Sequence, residues 1–161
     1  MFLMKREEVE QELYKINAYL SKCMWMDFEF CRMDAGQIVV SGSIDQSYNE
    51  YAIDIEFEQP HFVSSLFMWH TDTSKPFIQL VSEEEEVEIN AKYRVELGNY
   101  IFKINVEDFE KPPVFIAAKK ITCNMTPMQT PNPCRFQRIR PLQQPQRAKF
   151  DPGSDSAREC Q

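Results

Sequence analysis

Glycine is scarce in this chain, with four among 161 residues. None falls in a G-x-G-x-x-G, G-x-x-x-x-G-K-[ST] or G-x-S-x-G pattern. The backbone loops that cradle phosphates or raise a serine nucleophile therefore have nothing to be built from. Histidine is rarer still, and His61 and His70 stand in no H-x-H, H-x-x-x-H or H-E-x-x-H spacing. The five cysteines, Cys23, Cys31, Cys123, Cys134 and Cys160, include no C-x-x-C pair. Neither a zinc ribbon nor a dithiol redox motif is available, and free thiols are the expectation. No apolar run approaches the ~20 residues of a membrane helix. The opening "MFLMKREEVEQ" meets a charge cluster after four residues, where a secretory signal needs roughly 7–15 apolar ones. The chain reads as cytoplasmic, with no membrane contact and no cofactor.

What is present is enough apolar and aromatic material for one core of ordinary size, and a divided charge. The net charge of -7 splits into about -10 for the residues up to Asn124 and +3 for those after it. A body this acidic repels phosphate backbones and attracts basic partners, so the sequence argues against nucleic-acid binding and for a basic protein partner.

The periodicity begins as helical. Val9, Leu13, Ile16 and Leu20 form one stripe over residues 5–22, with Glu7, Glu8 and Glu10 near the end that a helix dipole favours for acids. From Met24 the period drops to two. Met26, Phe28 and Phe30 alternate with Asp27, Glu29 and Cys31; "DAG" makes a turn; "QIVVSGSI" follows. Tyr51, Ile53, Ile55 and Phe57 then alternate with Ala52, Asp54, Glu56 and Glu58, a half-exposed strand with an acidic outer row. "SSLFMWH" and "FIQLV" read as short strands around "TDTSKP". Val87, Ile89, Ala91, Tyr93, Val95 and Leu97 alternate with polar residues as the longest strand, and "GN" at 98–99 turns it back into "YIFKINV". "VFIAAKKIT" is the last strand. The sum is an α+β fold: one N-terminal helix on a mostly antiparallel twisted sheet or open barrel of about eight strands, in a single domain of residues 1–123.

Residues 124–161 hold six of the ten prolines and sustain no period. They read as a Pro/Gln/Arg-rich C-terminal tail. Within it, "CRFQRIR" sets Arg135, Arg138 and Arg140 beside Phe136 and Ile139. That composition suits the acidic body, in the same chain or in a homodimer formed through the tail.

Three places invite a chemical reading. His70 and Asp72 would share a strand face, and His61 could join them at a metal. The absent ligand spacing argues against it, and Asp72, Thr73, Ser74 and Pro76 are the residues of a hairpin loop. Glu83, Glu84, Glu85 and Glu86 lack the alternating ligands and glycine of a calcium loop, and read as a solvated loop. Phe28, Phe30, Trp69, Tyr93 and Phe102 are candidates to line a pocket inside a curved sheet.

"WMDFEF" at 25–30, with the hairpin sequence that follows it, resembles the opening W/F-x-D-x-E-[FIV] strand of some small bacterial immunity proteins that neutralise polymorphic toxins. Trp25, Asp27, Glu29 and Phe30 carry the resemblance, which implies an acidic, β-rich inhibitor without catalysis. A body followed by an unpatterned extension also resembles the reading frames of mobile, integron-type gene cassettes. The expectation is a non-catalytic acidic binding protein of the toxin-neutralising or cassette-encoded kind. Asp54, Glu56, Glu58 and Glu83 to Glu86 would form its partner surface. The alternative is a small-molecule binding or hydrolytic domain with the aromatic pocket.

Overall fold

The computed structural model describes residues 3–23, 25–44, 51–72, 76–107 and 113–126. In chain order these form α1 (Arg6–Leu20), β1 (Trp25–Met33), β2 (Gln37–Ser43), β3 (Ile53–Glu58), β4 (Phe62–Ser64), β5 (Met68–Asp72), β6 (Ile78–Leu80), α2 (Glu83–Tyr93), β7 (Tyr100–Ile104), β8 (Val114–Ala118) and β9 (Lys120–Met125). The chain divides into two units, residues 1–129 and 130–161. The second lies outside the described residues, and with it the contact and dimer expected of "CRFQRIR".

The strands make two antiparallel sheets, not a closed barrel. One has five strands in the order β5-β1-β2-β3-β9, the other four in the order β4-β8-β7-β6. Their inner faces share one core with α1. Met26 and Phe28 of β1, Ile53, Ile55 and Phe57 of β3, and Phe102 and Ile104 of β7 are all at most 1% exposed in it. The Phe57 and Phe102 rings meet edge to face at 5.2 Å and join the sheets directly. Each such side chain contributes roughly 1.5–3 kcal/mol on burial. The helix adds its predicted stripe: Val9, Leu13, Ile16 and Leu20 are all buried. It also closes the open side of the sandwich. The Tyr19 hydroxyl lies 3.0 Å from the carbonyl oxygens of both Ala52 and Thr126, beside β3 and β9. Asn17 bonds the backbone of β6.

The longest predicted strand is a correction. Residues 83–93 are helical, so the fold has a second helix. Ser82 is its N-cap, accepting from the Glu85 amide at 3.2 Å, and Arg94 ends it at φ 53° in the left-handed region. "SEEE" is a capping box, and four acids in the first turn suit the positive end of the helix dipole. Those local signals outweigh the alternation, which buries little: Ile89 is the helix's buried residue, while Val87 and Tyr93 are exposed. A smaller core lies here, with Ile89, Val81, Val95, Ile101 and Ala117. Ile101 and Ala117 pair across β7 and β8 and face away from the main core, so α2 covers the outer face of the four-stranded sheet.

Three more expectations change. β5 and β6 do not form a hairpin, because β5 pairs with β1 and β6 with β7, in different sheets. Of the predicted loop between them, residues 73–75 lie outside the described residues. "VFIAAKKIT" is two strands, β8 and β9, which cross from one sheet to the other at Lys119. The alternation into β3 slips at its start, where Tyr51 faces outward and Ala52 packs against the core.

Candidate interaction face

The outer face of the five-stranded sheet is built by register. In one row His70 of β5 lies opposite Asp27 of β1, and Asp27 opposite Ser43 of β2. In the next row Met68, Glu29, Ser41, Asp54 and Asn124 follow one another across all five strands. Then come Arg32, Val39, Glu56 and Thr122, and after them Gln37, Glu58 and Lys120. A bulge between Phe30 and Arg32 displaces Cys31 from the ladder. Strand alternation sends every one of these side chains away from the core. Among the described residues no helix or strand lies over them.

Five carboxylates therefore share this face, and polar neighbours hold them in place. Asp27 is buried at 8% exposure and bonds the Nδ1 of the exposed His70. The Tyr51 hydroxyl donates to Glu29 at 2.6 Å. The Ser41 hydroxyl donates to Asp54 at 2.5 Å. Glu56 accepts from Gln37 at 2.7 Å and from Asn124 at 3.1 Å, and Glu58 takes Lys120 at 2.6 Å. Hydrogen bonds to the Cys31 side chain and to the Glu29 carboxylate raise the Tyr51 phenol well above its ordinary pKa range. It stays a protonated donor at any physiological pH. Lys120 is the lysine of these rows, and Arg32 is turned to Asp34 at 2.6 Å. The field above the sheet is negative.

The same rows do not form a serine-hydrolase triad. His70, Asp27 and Ser43 stand side by side, but the carboxylate is in the middle. A nucleophile needs the imidazole as its direct neighbour, and among the described residues the buried Ser43 hydroxyl has no hydrogen-bond partner. His70 is held by Asp27, 43 residues away in sequence, while His61 accepts from the Glu96 amide at 3.4 Å. Among the described residues no group of three His, Cys, Asp or Glu side chains is placed to hold a metal ion.

The structure separates the sequence's partner residues. Asp54, Glu56 and Glu58 are neighbours on β3. Glu83, Glu84, Glu85 and Glu86 form the first turn of α2, against the other sheet. They are a helix turn and not the solvated loop expected of them, and Glu85 pairs with Lys103 of β7 at 2.5 Å. Of the aromatic candidates, Phe28, Phe30 and Trp69 pack together in the core, Phe102 lies in the same core on the other sheet, and Tyr93 stands apart. Phe28 stacks on Phe77 at 4.3 Å and on Trp69 at 6.1 Å, Phe30 meets Trp69 edge-on at 5.5 Å, and Phe102 packs on Phe57. Tyr93 is 42% exposed and stacks on Phe62 at 4.7 Å. A cavity of about 190 Å³ lies elsewhere, between the N-terminal segment and the start of β7, where Leu3, Arg6, Glu86 and Asn99 line it.

The alternation around Phe28 sends Asp27 and Glu29 outward, but periodicity alone does not join them to Asp54, Glu56 and Glu58. The alternation in "WMDFEF" was the available signal; the register that makes one face of two strands was not. Among the described residues no helix is long and apolar enough to cross a membrane. The chain matches no family model, no curated protein and no solved structure.

Proposed function

We propose that this is a non-catalytic protein that binds a basic protein partner through the outer face of its five-stranded sheet. One observation carries the reading: Asp27, Glu29, Asp54, Glu56 and Glu58 are gathered on a single sheet face that no described element covers. The outer face of the other sheet, by contrast, is covered by α2. Fixed carboxylates in a shared field speed association with a cationic partner and set its orientation. Their fixed geometry lowers the ordering cost on binding. The resemblance of β1 to the immunity-protein strand agrees with this reading, under which the partner is a basic toxin. Aromatic rings packed on one another at the core argue against the pocket alternative.

The test compares two triple variants of equal net charge, Glu29→Gln/Asp54→Asn/Glu56→Gln and Glu83→Gln/Glu84→Gln/Glu86→Gln. A fluorescent deca-lysine peptide serves as the cationic probe at low and moderate salt, with melting temperatures checked. The sheet triple should weaken binding at least tenfold and flatten its salt dependence, and the helix triple should change it less than threefold. Equal losses from both triples would mean that only overall charge matters, and the reading would fail.

A further inference from the structure

Between β4 and β5 the chain crosses from one sheet to the other, and the crossing carries three consecutive apolar residues that face solvent. Leu66 is 37% exposed, Phe67 85% and Met68 50%. A run of exposed apolar side chains costs solubility and adds nothing to the core, so it marks a surface with a use. The Ser65 hydroxyl bonds the Leu66 carbonyl at 2.6 Å, and Met68 is already in the β1 ladder.

Its position gives it meaning. Met68 lies directly opposite Glu29, at the head of the row that continues through Ser41 to Asp54. Cross-strand neighbours have Cβ atoms about 4.5–5.5 Å apart, so Met68 joins the first carboxylates of the acidic face, with Leu66 and Phe67 immediately before it at the end of the edge strand. Tyr51, 40% exposed and bonded to Glu29, extends it. An aromatic anchor beside a charged field is the composition of a binding hot spot: the ring fills a pocket on the partner, and the charges orient the approach.

We infer that Phe67, with Leu66 and Met68, is the apolar anchor of the interface, and that its occupant is a basic protein presenting an apolar pocket rimmed by lysine or arginine. This rests on the acidic-face reading and adds what that reading lacks, a source of short-range affinity. Charge complementarity selects the occupant. A second copy that presented the same face would bring acid to acid, its basic C-terminal residues being the separate case that light scattering tests, and an anionic lipid surface would be repelled by Asp27, Glu29 and Asp54.

The experiment uses the full chain and two peptide probes of equal charge, one alternating lysine with leucine and one alternating lysine with serine. The lysine–leucine peptide should bind at least tenfold more tightly. Phe67→Ser should remove that gap and leave the lysine–serine affinity unchanged. Leu97→Ser, at a side chain also 85% exposed but remote in sequence, should leave the gap intact. Both sites are exposed enough that folding is not at stake, and melting temperature verifies it. A gap that survives Phe67→Ser overturns the inference. So does loss, in Phe67→Ser, of a dimer seen by light scattering or of binding to zwitterionic vesicles, because a second copy or a lipid would then be the occupant. If the lysine–serine peptide binds through the acidic rows and no gap exists, the anchor alone is wrong. If neither peptide binds, the acidic-face reading falls with it.

Discussion

Asn17 of α1 and Ile78 of β6 hydrogen-bond in both directions: the Asn17 amide donates to the Ile78 carbonyl at 2.8 Å, and its oxygen accepts from the Ile78 amide at 3.1 Å. The same oxygen accepts from the Phe77 amide at 2.8 Å. One side chain thus does for this edge of β6 what a neighbouring strand would do. Asn17→Leu fits the apolar surroundings but leaves three backbone groups unpaired, each costing about 1–3 kcal/mol. We expect a loss of roughly 3 kcal/mol or more by denaturant titration, well above that of Tyr14→Ala at the exposed side of the same helix. A loss below about 1 kcal/mol would show that the helix is held by its apolar stripe alone.

Gly42 lies under the pairing of β1, β2 and β3. A Cβ there would sit 2.6 Å from both the Met26 sulfur and the Phe28 ring and 2.9 Å from Ile53. Gly42→Ala therefore forces fully buried side chains apart, at a cost of roughly 1–3 kcal/mol. Gly36→Ala, where the nearest contact is the exposed Asp34 carboxylate at 3.3 Å, is the control. If Gly42→Ala melts no lower than Gly36→Ala, the sheet is looser than its contacts imply.

Glu85 closes the capping box of α2 and pairs with Lys103. The Lys103 hydrogen bond, ahead of the bond from Ser82, holds its carboxyl below the usual range. A carboxyl depressed in the fold stabilises above its unfolded pKa, and that stability is lost as pH falls through the folded value. Glu85→Gln should cost about 1 kcal/mol at neutral pH, the ion-pair share being discounted for its exposure. The gap between variant and parent should close below roughly pH 4. A gap that is constant from pH 7 to pH 3 would place the effect in packing and not in charge.

Burial first, and then its hydrogen bond to Glu12, push the Cys123 thiol up to about 12. The bond, 3.3 Å from Sγ to the carboxylate, requires the proton. At pH 8 such a thiol carries roughly one part in ten thousand of the reactive thiolate. Iodoacetamide mapping by mass should label the exposed Cys31 at least tenfold faster than Cys123. The sign for stability is the reverse of that for Glu85: the contribution is whole below the ordinary thiol pKa of 9.0 and is lost as pH rises towards about 12. Equal labelling of the two would mean that β9 opens readily at its pairing with β3.

Much of this was legible from residue spacing. The stripe Val9, Leu13, Ile16 and Leu20 fixes α1 because nothing competes with it. Phe28, Ile55 and Phe57 alternate with acids because only one face of their sheet meets the core. Residues 83–93 misled because Val87, Ile89 and Ala91 alternate, and a helix that buries little beyond Ile89 leaves scant 3.6-residue pattern to oppose them. The capping signature at Ser82 and Glu85 was the signal to weigh. Which strands pair is not written in periodicity. The partner of His70 is Asp27, far off in sequence. The acidic face and its apolar tip exist only once β5, β1, β2 and β3 lie in register.

Under the proposed function, a cationic partner meets the outer face of the five-stranded sheet. This is tested most directly by titrating the ¹⁵N-labelled full chain with deca-lysine and following amide shifts. The largest shifts are expected at residues 27–29, 39–43 and 53–58, with residues 82–90 of α2 little moved. Shifts centred on α2, or spread evenly over every acidic residue, would contradict it.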